Sequence, residues 1–170
     1  WKQIAEHYKD QPAVAAYDLL NEPFGDGKPD KHEPVLVKLS DEIYKAIREV
    51  DSRHIIVLGG STRGVSCYGN PADHGWYNVM FSEHYYPGVL ASAPSFQPHR
   101  DLVNRDMPYN VRKFKEMGVP MLVGEFNVVF RFLGGPVLMR QYYDLYASNG
   151  WWATMWSYKL VKKADGGIQH

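Results

Sequence analysis

The chain is 170 residues long, with 19 lysines and arginines against 19 aspartates and glutamates. That is enough for one domain with a real core, and it leaves no net field to favour nucleic acid or an anionic membrane. The single Cys67 excludes an internal disulfide and a cysteine-built zinc site, and no apolar run approaches the roughly 20 residues that span a bilayer.

The first residue is Trp1, with neither an initiator methionine nor a signal-peptide pattern after it, so the expectation is a soluble piece of a longer polypeptide. Trp1, Ile4, Ala5 and Tyr8 recur at helical spacing until Asp10-Gln11-Pro12 ends the pattern. Ala13 to Leu20 is a compact apolar run that reads as a strand buried on both faces, and it ends at Asn21-Glu22-Pro23. Phe24 to Glu33 reads as a loop, and Pro34 opens a helix with Leu36, Leu39, Ile43, Ile47 and Val50 on one face.

Ile55 to Leu58, before Gly59-Gly60, is a second strand. Asn78 to Ser82 is a third, running into Glu83-His84-Tyr85-Tyr86-Pro87. An irregular stretch from Gly88 to Pro98 precedes a helix centred on Val111 and Phe114, closed at Gly118 by a left-handed cap. Pro120 to Gly124 is a fourth strand ending in Glu125. A helix after Gly134-Gly135-Pro136 carries Leu138, Tyr142, Leu145 and Tyr146, and Trp152 to Ser157 is a fifth strand.

Short apolar strands alternating with helices imply an α/β fold, a parallel sheet covered by helices. The glycine-rich turn of a nucleotide-binding doubly wound sheet is missing, because Gly59-Gly60 is too sparse. In a (β/α) barrel the carboxyl ends of strands build the active site. Those ends hold Asn21 and Glu22, then His84 and Tyr86, then Glu125 with Asn127 just beyond.

Two glutamates on different strands suit glycosidic bond cleavage. One carboxylic acid protonates the departing oxygen while the other carboxylate attacks the anomeric carbon, at a separation of about 5 Å in retaining enzymes. Burial or a like charge keeps the first protonated, and hydrogen-bond donors keep the second ionised. Tyr86 is a suitable donor to Glu125, and His84 can tune Glu22. The chain is 14 per cent aromatic, with twelve tyrosines and five tryptophans. Rings of this kind either fill a core or stack on the apolar faces of sugars.

These residues resemble glycoside hydrolase family 5, within the clan of (β/α)8 TIM-barrel glycosidases with catalytic glutamates on the fourth and seventh strands. Leu20-Asn21-Glu22-Pro23 is similar to the motif ending the family's fourth strand. His84-Tyr85-Tyr86-Pro87 resembles its sixth-strand His-x-Tyr motif, Val123-Gly124-Glu125-Phe126 its seventh-strand segment, and Trp156 its eighth-strand tryptophan. The resemblance implies a retaining β-glycosidase with Glu22 as acid/base and Glu125 as nucleophile. Asn21, His84, Tyr86 and Trp156 would bind substrate, with no metal and no cofactor. It further implies a β-linked polysaccharide or oligosaccharide substrate, foremost a β-1,4-glucan in the manner of an endoglucanase, with β-mannan or β-1,3-glucan as alternatives. A secreted or periplasmic location follows from the same resemblance.

Counted against the family, residues 1–170 form the C-terminal part of one catalytic domain, strands four to eight with their helices. Five strands do not close an eight-stranded barrel, and its open sheet edges can pair with a second chain or a missing segment. Two rival readings stand beside this one: a carbohydrate-binding or inactive barrel fragment, and an enzyme using Glu22 and Glu125 as metal ligands. Trp76 and Tyr77 fit an extra sugar subsite and a barrel rim equally. Trp152 shares strand parity with Trp156 but would lie deeper, with Trp151 packing outward. Asp26 and Asp30 match no calcium-binding loop.

Overall fold

In the computed structural model, residues 1–23, 28–60, 64–88, 95–128 and 135–157 are described, with the short backbone strands Val161–Lys162 and Ile168–Gln169. The expected features at Phe24, Asp26 and Gly134 lie outside the described residues, as does most of the stretch after Gly88. The elements alternate: α1 (Lys2–Tyr8), β1 (Ala16–Asp18), α2 (Pro29–Arg48), β2 (Ile55–Gly59), β3 (Val79–Tyr85), α3 (Gln97–Asp101), α4 (Met107–Met117), β4 (Met121–Phe126), α5 (Gly135–Ser148) and β5 (Trp152–Met155). The strand order is β1-β2-β3-β4-β5. The chain divides into two compact units, Trp1–Glu83 with Lys113–Leu122, and His84–Arg112 with Val123–His170.

In the first unit β1 and β2 pair in parallel with Tyr17 opposite Ile56, and β2 and β3 pair in parallel with Leu58 opposite Phe81. The Phe81 amide donates to the Pro120 carbonyl at 3.0 Å just before β4. β1 is shorter than its apolar run, because a turn in which the Val14 amide donates to the Gln11 carbonyl at 3.1 Å takes up the first residues. α2 starts at Pro29, five residues before the expected Pro34. Proline suits the first helical position, where its missing N–H has no partner to lose. Pro34 is therefore accommodated inside the helix at the cost of one backbone bond.

The buried face of α2 is Leu36, Ser40, Tyr44 and Ile47, with Leu39, Ile43 and Val50 half-buried at its flank. Ser40 is tolerated there because its hydroxyl lies 3.3 Å from that of Tyr68. Tyr68 in turn stacks on Phe81 with ring centroids 5.6 Å apart and donates to the Gly59 carbonyl at 2.8 Å. Trp76 belongs to this core rather than to a sugar subsite. It is 4 % exposed, its indole N–H donates to Asp41 at 3.0 Å, and it stacks on His74. Tyr77 is exposed and lies under the Arg48 guanidinium, 4.9 Å from the ring centre.

At the amino end of β2, Tyr17 donates to the buried Asp51 at 2.8 Å, and His54 Nδ1 lies 2.5 Å from the same oxygen. Burial opposes ionisation of Asp51. Donation from the Arg53 and His54 amides, from Tyr17 and from His54 outweighs it and holds its pKa near about 2.

The second unit packs around Leu102, Met107, Val123, Phe126, Val128, Tyr142 and Tyr146. Gly118, with φ of 64°, closes α4 as expected, its amide donating to the Lys115 carbonyl. Between α3 and α4 a π-helical turn, Leu102–Asp106, lets the two run on as one helix. Along β5, Trp152 and Trp156 are exposed, while Trp151, Ala153 and Met155 pack on the apolar cluster. The parity is the expected one, but Trp152 is the more exposed of the two, 65 % against 49 %. None of the helices is long and apolar enough to cross a membrane among the described residues.

Candidate active site

Asn21 and Glu22 follow Leu19-Leu20 beyond the end of β1 in the first unit, and both are exposed. Glu22 has φ of 42°, the left-handed region that non-glycine residues seldom adopt and that clusters at functional positions. The segment is seated on β2 through Gly59, where a Cβ would come within 2.7 Å of the Leu20 carbonyl oxygen. Only glycine permits that approach. The sign of this close approach in the sequence is the glycine pair that follows a β-branched run.

β3 runs through Tyr85, beyond its expected end at Ser82, and β4 runs through Phe126, so that the ends of both strands belong to the second unit. Both extensions bring ionisable side chains onto the sheet rather than into loops. Val123 and Phe126 both join the apolar cluster although three residues apart. Strict two-residue alternation is therefore offset at Gly124-Glu125.

Glu125 meets two of the predicted residues. The Tyr86 hydroxyl donates to Glu125 Oε2 at 2.7 Å, and His84 Nδ1 lies 3.6 Å from the same oxygen. The His84 and Glu125 side chains are 17 % and 18 % exposed, open enough to meet a ligand and enclosed enough for a donor to count. Trp156 follows β5. Its amide donates to the Phe126 carbonyl at 3.2 Å, and its own carbonyl accepts from Asn127 Nδ2 at 2.7 Å. Half its surface remains exposed.

Glu83, the acid next to His84, was not singled out by sequence. Its carboxylate accepts from the Val65 amide at 3.1 Å, in the first unit, where Gly64 has φ of 75°. That is a structural attachment, and nothing in the local sequence separates it from a catalytic acid. Within either unit taken alone, no trio of His, Cys, Asp and Glu side chains converges at metal-ligand spacing among the described residues.

The model of the family "Cellulase (glycosyl hydrolase family 5)" matches residues 1–160. The chain belongs to glycosyl hydrolase family 5. Among similar solved structures is Thermotoga maritima Cel5A in complex with mannotriose, with a TM-score of 0.74 at 22 % identity over 94 % of this chain and 57 % of that one. Endo-glycoceramidase II from Rhodococcus sp. gives a TM-score of 0.73 at 22 % identity over 98 % of this chain and 42 % of that one. Five consecutive strands in order with helices between them are part of a (β/α)8 barrel, as the resemblance to the family implied.

A β-xylosidase of Phanerodontia chrysosporium is 28 % identical over 151 residues, 85 % of the family 5 chain and 29 % of the relative. An endoglycoceramidase of Hydra vulgaris is 38 % identical over 72 residues, 36 % of this chain and 14 % of that protein. The chain thus spans about half the length of the solved relatives and less than a third of the two curated ones.

Proposed function

We propose that this family 5 chain carries the catalytic centre of a retaining β-glycosidase, with residues 1–170 as part of its catalytic domain. Glu125 attacks the anomeric carbon and expels the leaving oxygen as Glu22 protonates it. Glu22 then removes a proton from water, which displaces Glu125 and returns the sugar with its original β configuration. The observation that carries the reading is the bond from Tyr86 to Glu125 Oε2 on a half-enclosed strand-end carboxylate. A fixed donor of this kind holds the carboxylate in place for attack.

Asn21 fits the role of a donor to the sugar beside Glu22, His84 a contact beside Glu125, and Trp156 an exposed ring on which a sugar face can stack. Retention requires the two carboxyl groups at roughly 5–5.5 Å, against a wider gap for inversion. Proton NMR of the first product tests this: a fresh β-anomer supports double displacement, and an α-anomer rules it out.

The substrate we propose is a β-linked glucan, with the β-1,4 linkage foremost. The endoglycoceramidases among the relatives favour a second substrate, a β-glycoside whose leaving group is a lipid. Initial rates on cello-oligosaccharides, β-mannan, β-1,3-glucan and glucosylceramide separate these. The alternative is a chain that binds carbohydrate through the exposed Trp156 ring without turnover. Equilibrium binding with no product would select that alternative.

A further inference from the structure

β4 ends at Phe126 and β5 at Met155, so Trp156 stands just beyond the end of its strand. Its peptide is held on both sides all the same. The Trp156 amide donates to the Phe126 carbonyl at 3.2 Å, and the Trp156 carbonyl accepts from Asn127 Nδ2 at 2.7 Å. Further back along the same strands, the Thr154 hydroxyl donates to the Gly124 carbonyl.

Asn127 makes its contact with a side chain whose orientation is fixed. Oδ1 accepts from the Val128 amide at 2.7 Å, and a backbone N–H can only donate. The atom left to face the Trp156 carbonyl is therefore the donor, Nδ2. Past the end of both strands, this side-chain amide supplies the bond that a ladder N–H supplies inside a sheet. Asn127 is half-buried, where such a bond is stronger than in open water.

What the clamp orients is an indole ring. Ala153 and Met155 are aimed by packing on the apolar cluster. Trp156, on the opposite face of the chain and about half exposed, takes its direction from the backbone that carries it. Phe126 and Asn127 directly follow Glu125, so the two bonds tie the ring to the segment that bears the proposed nucleophile.

We infer that Asn127 is a positioning residue for substrate: its amide fixes Trp156 so that the indole face meets a sugar at a set place relative to Glu125. The inference rests on the proposed glycosidase reading for the roles of Glu125 and Trp156, and on the clamp itself for Asn127.

The test is a double-mutant cycle with a cello-oligosaccharide as substrate. Asn127→Ala should raise KM about three- to tenfold, the range that one neutral hydrogen bond supports, and leave kcat within twofold. A stacked face is in contact before and during attack, so its loss falls on KM. In a Trp156→Ala background the same substitution should change nothing further, because no ring remains to be aimed. Asn127→Asp keeps the acceptor for the Val128 amide and replaces only the donor, so it should match Asn127→Ala in KM. Circular dichroism verifies that each variant is folded. An unchanged KM in either Asn127 variant, a loss confined to kcat, or equal losses with and without the ring overturns the inference. If the unaltered protein turns over no glycoside, the catalytic reading fails separately, and the same cycle is measured as Kd for the oligosaccharide by titration calorimetry. Weakening that depends on the ring supports the role of Asn127; additive weakening, none, or no binding at all overturns it.

Discussion

The hydroxyl of Tyr86 donates to Oε2 of Glu125 at 2.7 Å, joining a side chain just past β3 to one near the end of β4. A hydrogen bond to a charged group contributes about 1.5–3 kcal/mol. Tyr86→Phe keeps the ring and removes the donor. It should lower kcat/KM roughly 10- to 100-fold, following from that range, with the circular dichroism spectrum unchanged. An unaltered rate would show that the bond has no part in the chemistry.

Gly59 controls the seat of Glu22. Gly59→Ala sets a methyl group 2.7 Å from the Leu20 carbonyl oxygen, and overpacking of this kind costs about 1–3 kcal/mol. The relief available is a shift of the Leu20–Glu22 backbone. Chemical denaturation should show the stability loss, and turnover should fall more than stability does, because the proposed acid/base residue Glu22 moves with that backbone.

Asp51 sets an acid limit on stability. Its folded pKa of about 2 lies below the usual carboxylate range, so its contribution is complete above the unfolded pKa. That contribution is lost as pH falls through about 4 towards 2. The size is about 2 kcal/mol. Asp51→Asn should flatten the decline in midpoint temperature over that window and lower stability at neutral pH. The decline in the parent protein would persist unchanged in the variant if other carboxylates caused it.

Trp76 and Tyr77 separate core from surface. Trp76→Ala should cost about 3–5 kcal/mol, as for other buried large aromatics. Tyr77→Ala should cost about 1 kcal/mol, for its exposed cation–π contact with Arg48. Equilibrium unfolding of the two variants measures the difference. Near-equal losses would contradict the placement of Trp76 in the core.

The parallel fold was legible because the strands are short apolar runs, and the approach of His84 and Tyr86 to Glu125 was legible because all three stand at strand ends. What could not be read depended on partners far away in sequence. The face of α2 is centred on Ser40 and Tyr44 rather than Leu39 and Ile43, since Tyr68 supplies a hydroxyl for Ser40. Trp76 was ambiguous until Asp41 and His74 were seen to enclose it. Helical spacing also could not show the π turn at Leu102–Asp106 between α3 and α4.

The central claim is that Glu125 is the nucleophile of a double displacement, and azide rescue tests it most directly. Glu125→Gly should abolish turnover of an activated aryl β-glycoside, and added azide should restore release of the aryl group with the α-glycosyl azide as product. Retention of activity in Glu125→Gly, or loss that azide does not rescue, would contradict the assignment.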